Sequence, residues 1–372
     1  MNAHRLFATA TALIAASSAL GAQPRWKLTE TLRIGGADTG ATSFSQINAL
    51  DADTKGRILV FDRSTLDLRM FSADGKLVRV IGRSGSGPGE FRRVQGFLLA
   101  HDGRIWVRDQ GNQRYSVFSS DGDLERTVLA QFCSYGWFWD GVVDRAGNIV
   151  DPTCVAVGGR GQGEWAIKYS TTSAKIDTVP IPRCGAEGAG AASVFEIKLT
   201  NGVRYVGVPF VSRPLNTLGL DNDRWCAPSS GKYEILRVRL GTGDTLAPAA
   251  RAAPDVAPLP VSSVERDSAI REIEKGAVSG PLGLDYGRIP KTKPIIDAIT
   301  VDDQSRLWVR RTTAKRTVEF DVFSTNGRLI AVAELTARTQ PFSRVTIRGE
   351  NLYAVVLDDD DVPYVARFRI AR

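Results

Sequence analysis

Apolar and polar positions along this chain follow a pattern that is written twice, 47 residues apart. Residues 56–75 read Gly-Arg-Ile-Leu-Val-Phe-Asp-Arg-Ser-Thr-Leu-Asp-Leu-Arg-Met-Phe-Ser-Ala-Asp-Gly, and residues 103–122 read Gly-Arg-Ile-Trp-Val-Arg-Asp-Gln-Gly-Asn-Gln-Arg-Tyr-Ser-Val-Phe-Ser-Ser-Asp-Gly. In each copy a short apolar run, 58–61 or 105–107, is bounded by Gly and Asp, as a buried strand is. An alternating run follows, 68–71 or 115–118, as a half-exposed strand requires. Asp74-Gly75, Asp121-Gly122 and Asn326-Gly327 supply the positive-φ residues of two-residue hairpins. Self-similarity at such a period marks a repeat architecture. Four antiparallel strands joined by these turns make one blade of a β-propeller.

The same grammar extends along the chain with increasing drift. Blades are expected at about 47–83, 94–130, 139–182, 194–247 and 295–335. The third is marked by Val143 to Val150, the fourth by Phe195 to Leu199 and Tyr233 to Leu240, and the fifth by Arg306 to Val309 and Phe320 to Gly327. A sixth blade begins near Phe342 and ends after three strands, at 344–348, 351–357 and 363–370. An open edge is a liability that propellers remove by closing the ring. The alternating segment Trp26 to Ile34 has no partner of its own, so it is expected to complete blade six beside the C-terminal strand. The fold class is therefore all-β, a six-bladed β-propeller closed by an N-terminal strand, with a short helical insertion between blades four and five. That insertion, 248–294, is Ala- and Pro-rich and then carries Ser262 and Glu265, a capped helix start, with Gly276 as its stop. Val264, Ile270 and Ile273 give it a thin apolar stripe. A surface excursion and a lid over the central pocket are both open for it.

Composition changes this picture at three points. Residues 1–22 combine His4 and Arg5, an apolar run and small residues before Gln23, as a secretory signal peptide does, leaving 23–372 as a single propeller domain. No later run is long enough to span a bilayer as a helix. The expected location is periplasmic or extracellular. The net charge is +7, but the arginines are dispersed, which argues against a nucleic-acid partner. Cys133, Cys154, Cys184 and Cys226 are even in number in an exported chain, so two disulfides are expected. Cys133–Cys154, which brackets strands of one blade, and Cys184–Cys226, which would staple the ends of a long loop-rich stretch, are favoured among three pairings; no C-x-x-C or neighbouring histidine suggests a metal site instead.

Residues 105–118, with Asp109, Asn112 and Arg114 between two strands and Phe118 at the end, resemble the NHL repeat. Ile81 to Phe91 is similar to the join of exported six-bladed propellers of the NHL and TolB-like groups. The resemblance implies the fold and no single activity. The residues themselves are read first as structural: Asp62 and Asp109 can accept amides of the turns they open. Gly85–Phe91 lacks the Gly-Lys-Ser/Thr ending of a nucleotide loop, so it is read as a turn between blades with Phe91 packed inward.

Candidate chemistry is sparse. Beyond the signal segment the only histidine is His101, beside a hairpin turn. This excludes the histidine zinc site of the amidating-lyase branch of NHL propellers, and no G-x-S-x-G elbow supports a triad. A divalent-metal-dependent hydrolase or lactonase would draw oxygen ligands for Ca²⁺ or Mg²⁺ from Asp62, Asp109, Asn112 and Asp151 at one mouth of the channel. Asp358 to Asp361 form an acidic turn, read as solvated or as a weak calcium or basic-partner contact. Tyr135, Trp137, Phe138 and Trp139 cluster in the join between blades two and three, where exposed rings would stack on a ligand. The expected role is a non-catalytic binding or scaffold propeller, without a cofactor and monomeric, recognising a small molecule, glycan or protein segment at one end of the ring.

Overall fold

The computed structural model describes residues 24–372, apart from 38, 133–137, 154–163, 173, 184–192, 200–201, 247–249, 252–255, 276–282, 315–316 and 341–343. The chain opens with β1 (Arg25–Gly35). Blade one is β2 (Ile47–Ala52), β3 (Ile58–Asp62), β4 (Asp67–Phe71) and β5 (Leu77–Ile81). Blade two is β6 (Val94–Leu99), β7 (Ile105–Asp109), β8 (Arg114–Phe118) and β9 (Leu124–Leu129). Blade three is β10 (Val142–Val143), β11 (Ile149–Thr153), β12 (Trp165–Tyr169) and β13 (Lys175–Pro180). A two-stranded ribbon, β14 (Val194–Leu199) and β15 (Gly202–Gly207), precedes blade four. That blade is β16 (Leu215–Leu218), β17 (Asp223–Ala227), β18 (Glu234–Arg239) and β19 (Ala250–Arg251). After helix α1 (Ser263–Glu274) come blade five, β20 (Ile296–Val301), β21 (Leu307–Arg311), β22 (Val318–Phe323) and β23 (Leu329–Leu335), and the strands β24 (Thr346–Arg348), β25 (Asn351–Leu357) and β26 (Pro363–Ala371).

The apolar second strands are explained by the two faces of each blade. Successive side chains of a strand point to opposite faces. Ile58 and Val60 pack with Tyr353 and Val355 toward blade six, while Leu59 and Phe61 pack with Phe91 and Phe118 toward blade two. Likewise Ile105 and Val107 face blade one and Trp106 faces Tyr169 of blade three. Leu307 and Val309 meet Trp225 of blade four, and Trp308 turns to Ile347 and Leu352 of blade six. Each of the six hydrophobic clusters of the ring thus lies between two neighbouring blades. Contacts between first strands, β2 with β6 and β24, β6 with β10, and β16 with β20, place those strands around the central channel. Last strands face solvent, as exposed Val78 and Leu129 show.

One blade boundary differs from expectation. Blade four starts at Leu215, not at 194, because β14 pairs with β15 alone. Phe195 and Ile197 are both buried, but Phe195 packs onto the insertion: it shares a cluster with Ile273 of α1 and with Ile289. The Arg288 guanidinium stands 5.1 Å from the Phe195 ring centroid and donates to the Val194 carbonyl at 2.8 Å. The excursions before and after blade four therefore pack on each other. Helix α1 begins with the expected capping box between Ser262 and Glu265; Gly276 lies outside the described residues. Ile270 and Ile273 face the ribbon, whereas Val264 is exposed.

Closure matches the sequence. β1 runs antiparallel to β26 from Lys27 opposite Ala371 to Gly35 opposite Tyr364, so the N-terminal strand is the fourth of blade six. Its first residues also pair in parallel with β23, Trp26 lying opposite Ala333, which stitches blades five and six into one eight-stranded sheet. Trp26 is buried, 5.9 Å from Trp308 between ring centroids, with the Arg306 guanidinium 5.3 Å from its ring. Trp26→Ala leaves a cavity at the seam, and the expected loss is about 3–5 kcal/mol. Urea unfolding followed by tryptophan fluorescence checks this; an unchanged midpoint would contradict a closing role for β1.

Candidate functional site

The loops at one mouth of the channel are built by the carboxylates of the repeat. Asp62, at the end of β3, accepts hydrogen bonds from the amides of Ser45 at 2.9 Å, Gln46 at 3.3 Å and Ser64 at 2.8 Å, and from the Ser64 hydroxyl at 2.6 Å. Asp109, at the end of β7, accepts from the amides of Arg92, Arg93 and Gly111 and from the Asn112 side chain at 2.7 Å. Asn112 also donates to the carbonyl of Gly85 at 3.1 Å. Asp62 and Asp109 thus anchor equivalent turns of different blades, and each carboxylate is engaged both by its own turn and by the segment that leads into its blade.

The join between blades one and two is held from the same side. Phe91 is fully buried between Phe61 and Phe118, with centroid separations of 5.7 and 6.0 Å. A Cβ on Gly82, whose φ is +75°, would meet the Phe91 ring at 2.1 Å, so only glycine admits this ring. Arg114 donates to the carbonyls of Ser86, Gly87 and Glu90. In blade one Arg69 has the corresponding task, reaching the carbonyls of Ala41 at 3.0 Å and Ser43 at 2.7 Å.

Asp151 behaves differently. It lies within β11 and is buried between blades two and three, apart from Asp62 and Asp109. It accepts from Arg108 Nε at 3.1 Å, from Trp139 Nε1 at 2.6 Å and from the Tyr115 hydroxyl. Burial pushes its carboxyl above the usual range, against the opposing pull of Arg108 and the two ring donors. Burial and the neighbouring carboxylate push the Tyr115 phenol up as well. Arg108 is also stacked 4.0 Å from the Phe132 ring centroid. This cluster ties blade two to blade three and leads directly to the channel.

Two cavities occupy that channel. The larger, about 860 Å³, is bounded by Arg63 of blade one, Phe138 of the join, Arg213, Leu215 and Asn216 of blade four, Asp297 to Thr300, Arg310 and Phe320 of blade five, and Thr339, Arg344 and Val345 beside blade six. The smaller, about 220 Å³, lies toward blades two to four, against Gln95, Arg108, Trp139, Glu164 and Arg224. Phe138 and Asn216 line both. The aromatic join therefore divides by role. Phe138 lines the channel, Trp139 is core with its indole N–H on Asp151, and Tyr135 and Trp137 lie outside the described residues. The channel arginines carried no sequence signal, because they come from four blades and are scattered among many others. None of the described residues of the insertion lines either cavity.

The remaining candidates stand apart from the channel. His101 is exposed in its hairpin turn. Asp358 accepts from the amides of Val362 at 2.9 Å and Asp360 at 3.0 Å, which hold its carboxyl below the usual range, and Asp361 pairs with Arg338 at 2.7 Å. Among the described residues no three His, Cys, Asp or Glu side chains converge as a metal site. Cys226 is buried in β17 and disulfide-bonded, while Cys133, Cys154 and Cys184 lie outside the described residues.

Residues 42–134, the stretch holding blades one and two, match the model of a family described as a 6-bladed beta-propeller. No curated protein sequence matches the chain. Among solved structures, the fold is similar to that of a member of the duf4221 family from Bacteroides vulgatus, at 11% identity and a TM-score of 0.54, over 94% of this chain and 100% of the other. It is also similar to that of a Bacteroides fragilis protein described as exported, at 13% identity and a TM-score of 0.51, over 93% of this chain and 96% of the other. At such identities the likeness shows the fold alone.

Asp62 offers a test of the turn assignment. Burial raises its pKa, but the hydrogen bonds from Ser64, Ser45 and Gln46 outweigh this and hold it below the usual carboxylate range. A depressed carboxyl contributes stability that is present above its unfolded value and lost as pH falls through the folded one. Asp62→Asn is expected to cost about 1–3 kcal/mol at neutral pH. The gap to the parent should narrow below about pH 4. Denaturant titrations at pH 7 and pH 3 check this; a gap that does not depend on pH would remove the charge from the explanation.

Proposed function

We propose that this chain is an exported, non-catalytic binding propeller that holds a small molecule or a glycan unit in its central channel. The observation that carries this reading is the cavity of about 860 Å³, to which blades one, four, five and six and the aromatic join all contribute side chains. Its size is that of a ligand pocket, and its lining of apolar walls with a few polar groups is what such pockets have in common. Phe138 supplies a ring at the wall of both cavities. The Thr339 hydroxyl, buried behind the lining, has no hydrogen-bond partner among the described residues.

The alternative, a divalent-metal-dependent hydrolase or lactonase, would need carboxylates directed into the channel. Asp62 and Asp109 instead face backbone amides of the turns and joins beside them, Asp151 is enclosed by Arg108, Tyr115 and Trp139, and the carboxylates that do line the cavities, Asp297, Asp140 and Glu164, pair with Arg310, Arg344 and Arg224. The reading of 1–22 as a signal peptide supports export. Among the described residues no helix is long and apolar enough to cross a membrane. The repeat at 105–118 supports kinship with the NHL and TolB-like propellers, and a monomer with two disulfides, Cys133–Cys154 and Cys184–Cys226, completes the reading.

A thermal-shift screen of metabolites and sugars on the parent and on Ala298→Trp tests the proposal. Ala298 lines the cavity and is exposed, so the larger side chain narrows the channel without displacing core. A ligand at 100 times its dissociation constant should stabilise the parent by about 2.7 kcal/mol and leave the variant unmoved. Equal shifts in both proteins would place binding elsewhere. Calcium, magnesium and EDTA are expected to leave the melting temperature of the parent unchanged.

A further inference from the structure

The charge of the larger cavity is one-sided. Arg63 follows β3, Arg213 precedes β16, Arg310 lies near the end of β21 and Arg344 precedes β24, so four blades bring a guanidinium to the same mouth. The described lining holds one carboxylate against them, Asp297, which pairs with Arg310 at 2.8 Å. Arg344 pairs with Asp140 beside the smaller cavity. Arg63, Arg213 and Arg344 are all exposed. The same cavity has apolar lining, to which the half-buried Phe138, Leu215 and Ile299 contribute.

A ring of like charges around a concave, low-dielectric wall focuses its field into the cavity and raises the local concentration of anions. Guanidinium groups also match carboxylate, phosphate and sulfate oxygens in bidentate geometry. The apolar wall asks for something different, a hydrocarbon or aromatic body removed from water. We infer that the larger cavity takes an amphipathic organic anion, its acidic group toward the arginines of the mouth and its apolar body against Phe138, Leu215 and Ile299. This rests on the reading of the channel as a binding site and adds the chemical class of the ligand. Orientation follows from it: the acid stays at the mouth, where counter-charge from four blades converges, and the body goes inward.

A matched pair of fluorescent probes separates the two claims. 1-Anilinonaphthalene-8-sulfonate carries an apolar body and an anionic group; N-phenyl-1-naphthylamine is the same body without the sulfonate. The expected result is saturable one-site binding of the sulfonate to the folded protein, about tenfold tighter than the neutral dye. Its affinity should fall with added salt, which screens exposed charge. The combined Arg63→Gln and Arg213→Gln substitutions should remove that preference while leaving the neutral dye's affinity as it was. Ala298→Trp should abolish both. Circular dichroism and the melting temperature confirm that each variant is folded. Equal affinity for both dyes, with binding lost in Ala298→Trp, overturns the anionic class and leaves the channel as a binding site. Sulfonate binding that survives Ala298→Trp removes the dye from the cavity and overturns both. Saturable binding of neither dye overturns the inference.

Discussion

Every blade of this protein has two apolar faces and no means of covering either one by itself. That constraint sets the rest of the structure. The alternation of Ile58 and Val60 against Leu59 and Phe61 sends one pair to blade six and the other to blade two. An isolated blade would expose both sets to water, at a cost of roughly 1.5–3 kcal/mol for each large apolar side chain. Only a closed ring removes all of them, so the N-terminal strand must return to the C-terminal one. Trp26, set between Ala333 of one blade and the strands of the next, is the point where that closure is fastened.

Once the ring is closed, polar residues of the repeat have little freedom left for chemistry. Asp62 and Asp109 end strands that are buried on both sides, and the turns that follow would otherwise leave amides unpaired. A buried amide without a partner is costly, so the carboxylates serve the backbone. Arg114 and Arg69 do the same for the carbonyls of the joins. Asp151 departs from this scheme because it sits inside a strand and not at its end. There it requires Arg108, Tyr115 and Trp139 around it, and these carry the connection from the interblade core to the channel wall.

Legibility in the sequence followed the strictness of the repeat. Blades one, two and five and the shared blade six were legible because buried strands, Asp-led turns and Gly hairpins recur there in fixed order. Phe91 was legible from its place at the end of the Gly-rich join. Blade four was not: Phe195 and Ile197 alternate as propeller strands do, and periodicity cannot distinguish a partner blade from a partner helix. The helix start at Ser262 was evident from local capping, but its packing against β14 and β15 depends on residues about 70 positions away. Of the aromatic join, Phe138 reached the channel and Trp139 the core, a division that the run of rings could not express.

The sequence by itself determined what short-range physics can determine: strands from alternation, turns from glycine and aspartate, a capped helix, and the need for a returning strand at an open edge. These follow from interactions within a few residues or from a repeat that states its own period. The channel was decided only by the tertiary structure. Arg63, Arg213, Arg310 and Arg344 lie far apart along the chain and share no motif. They meet because six first strands are arranged around one axis, and the space between those strands belongs to no single segment of the chain.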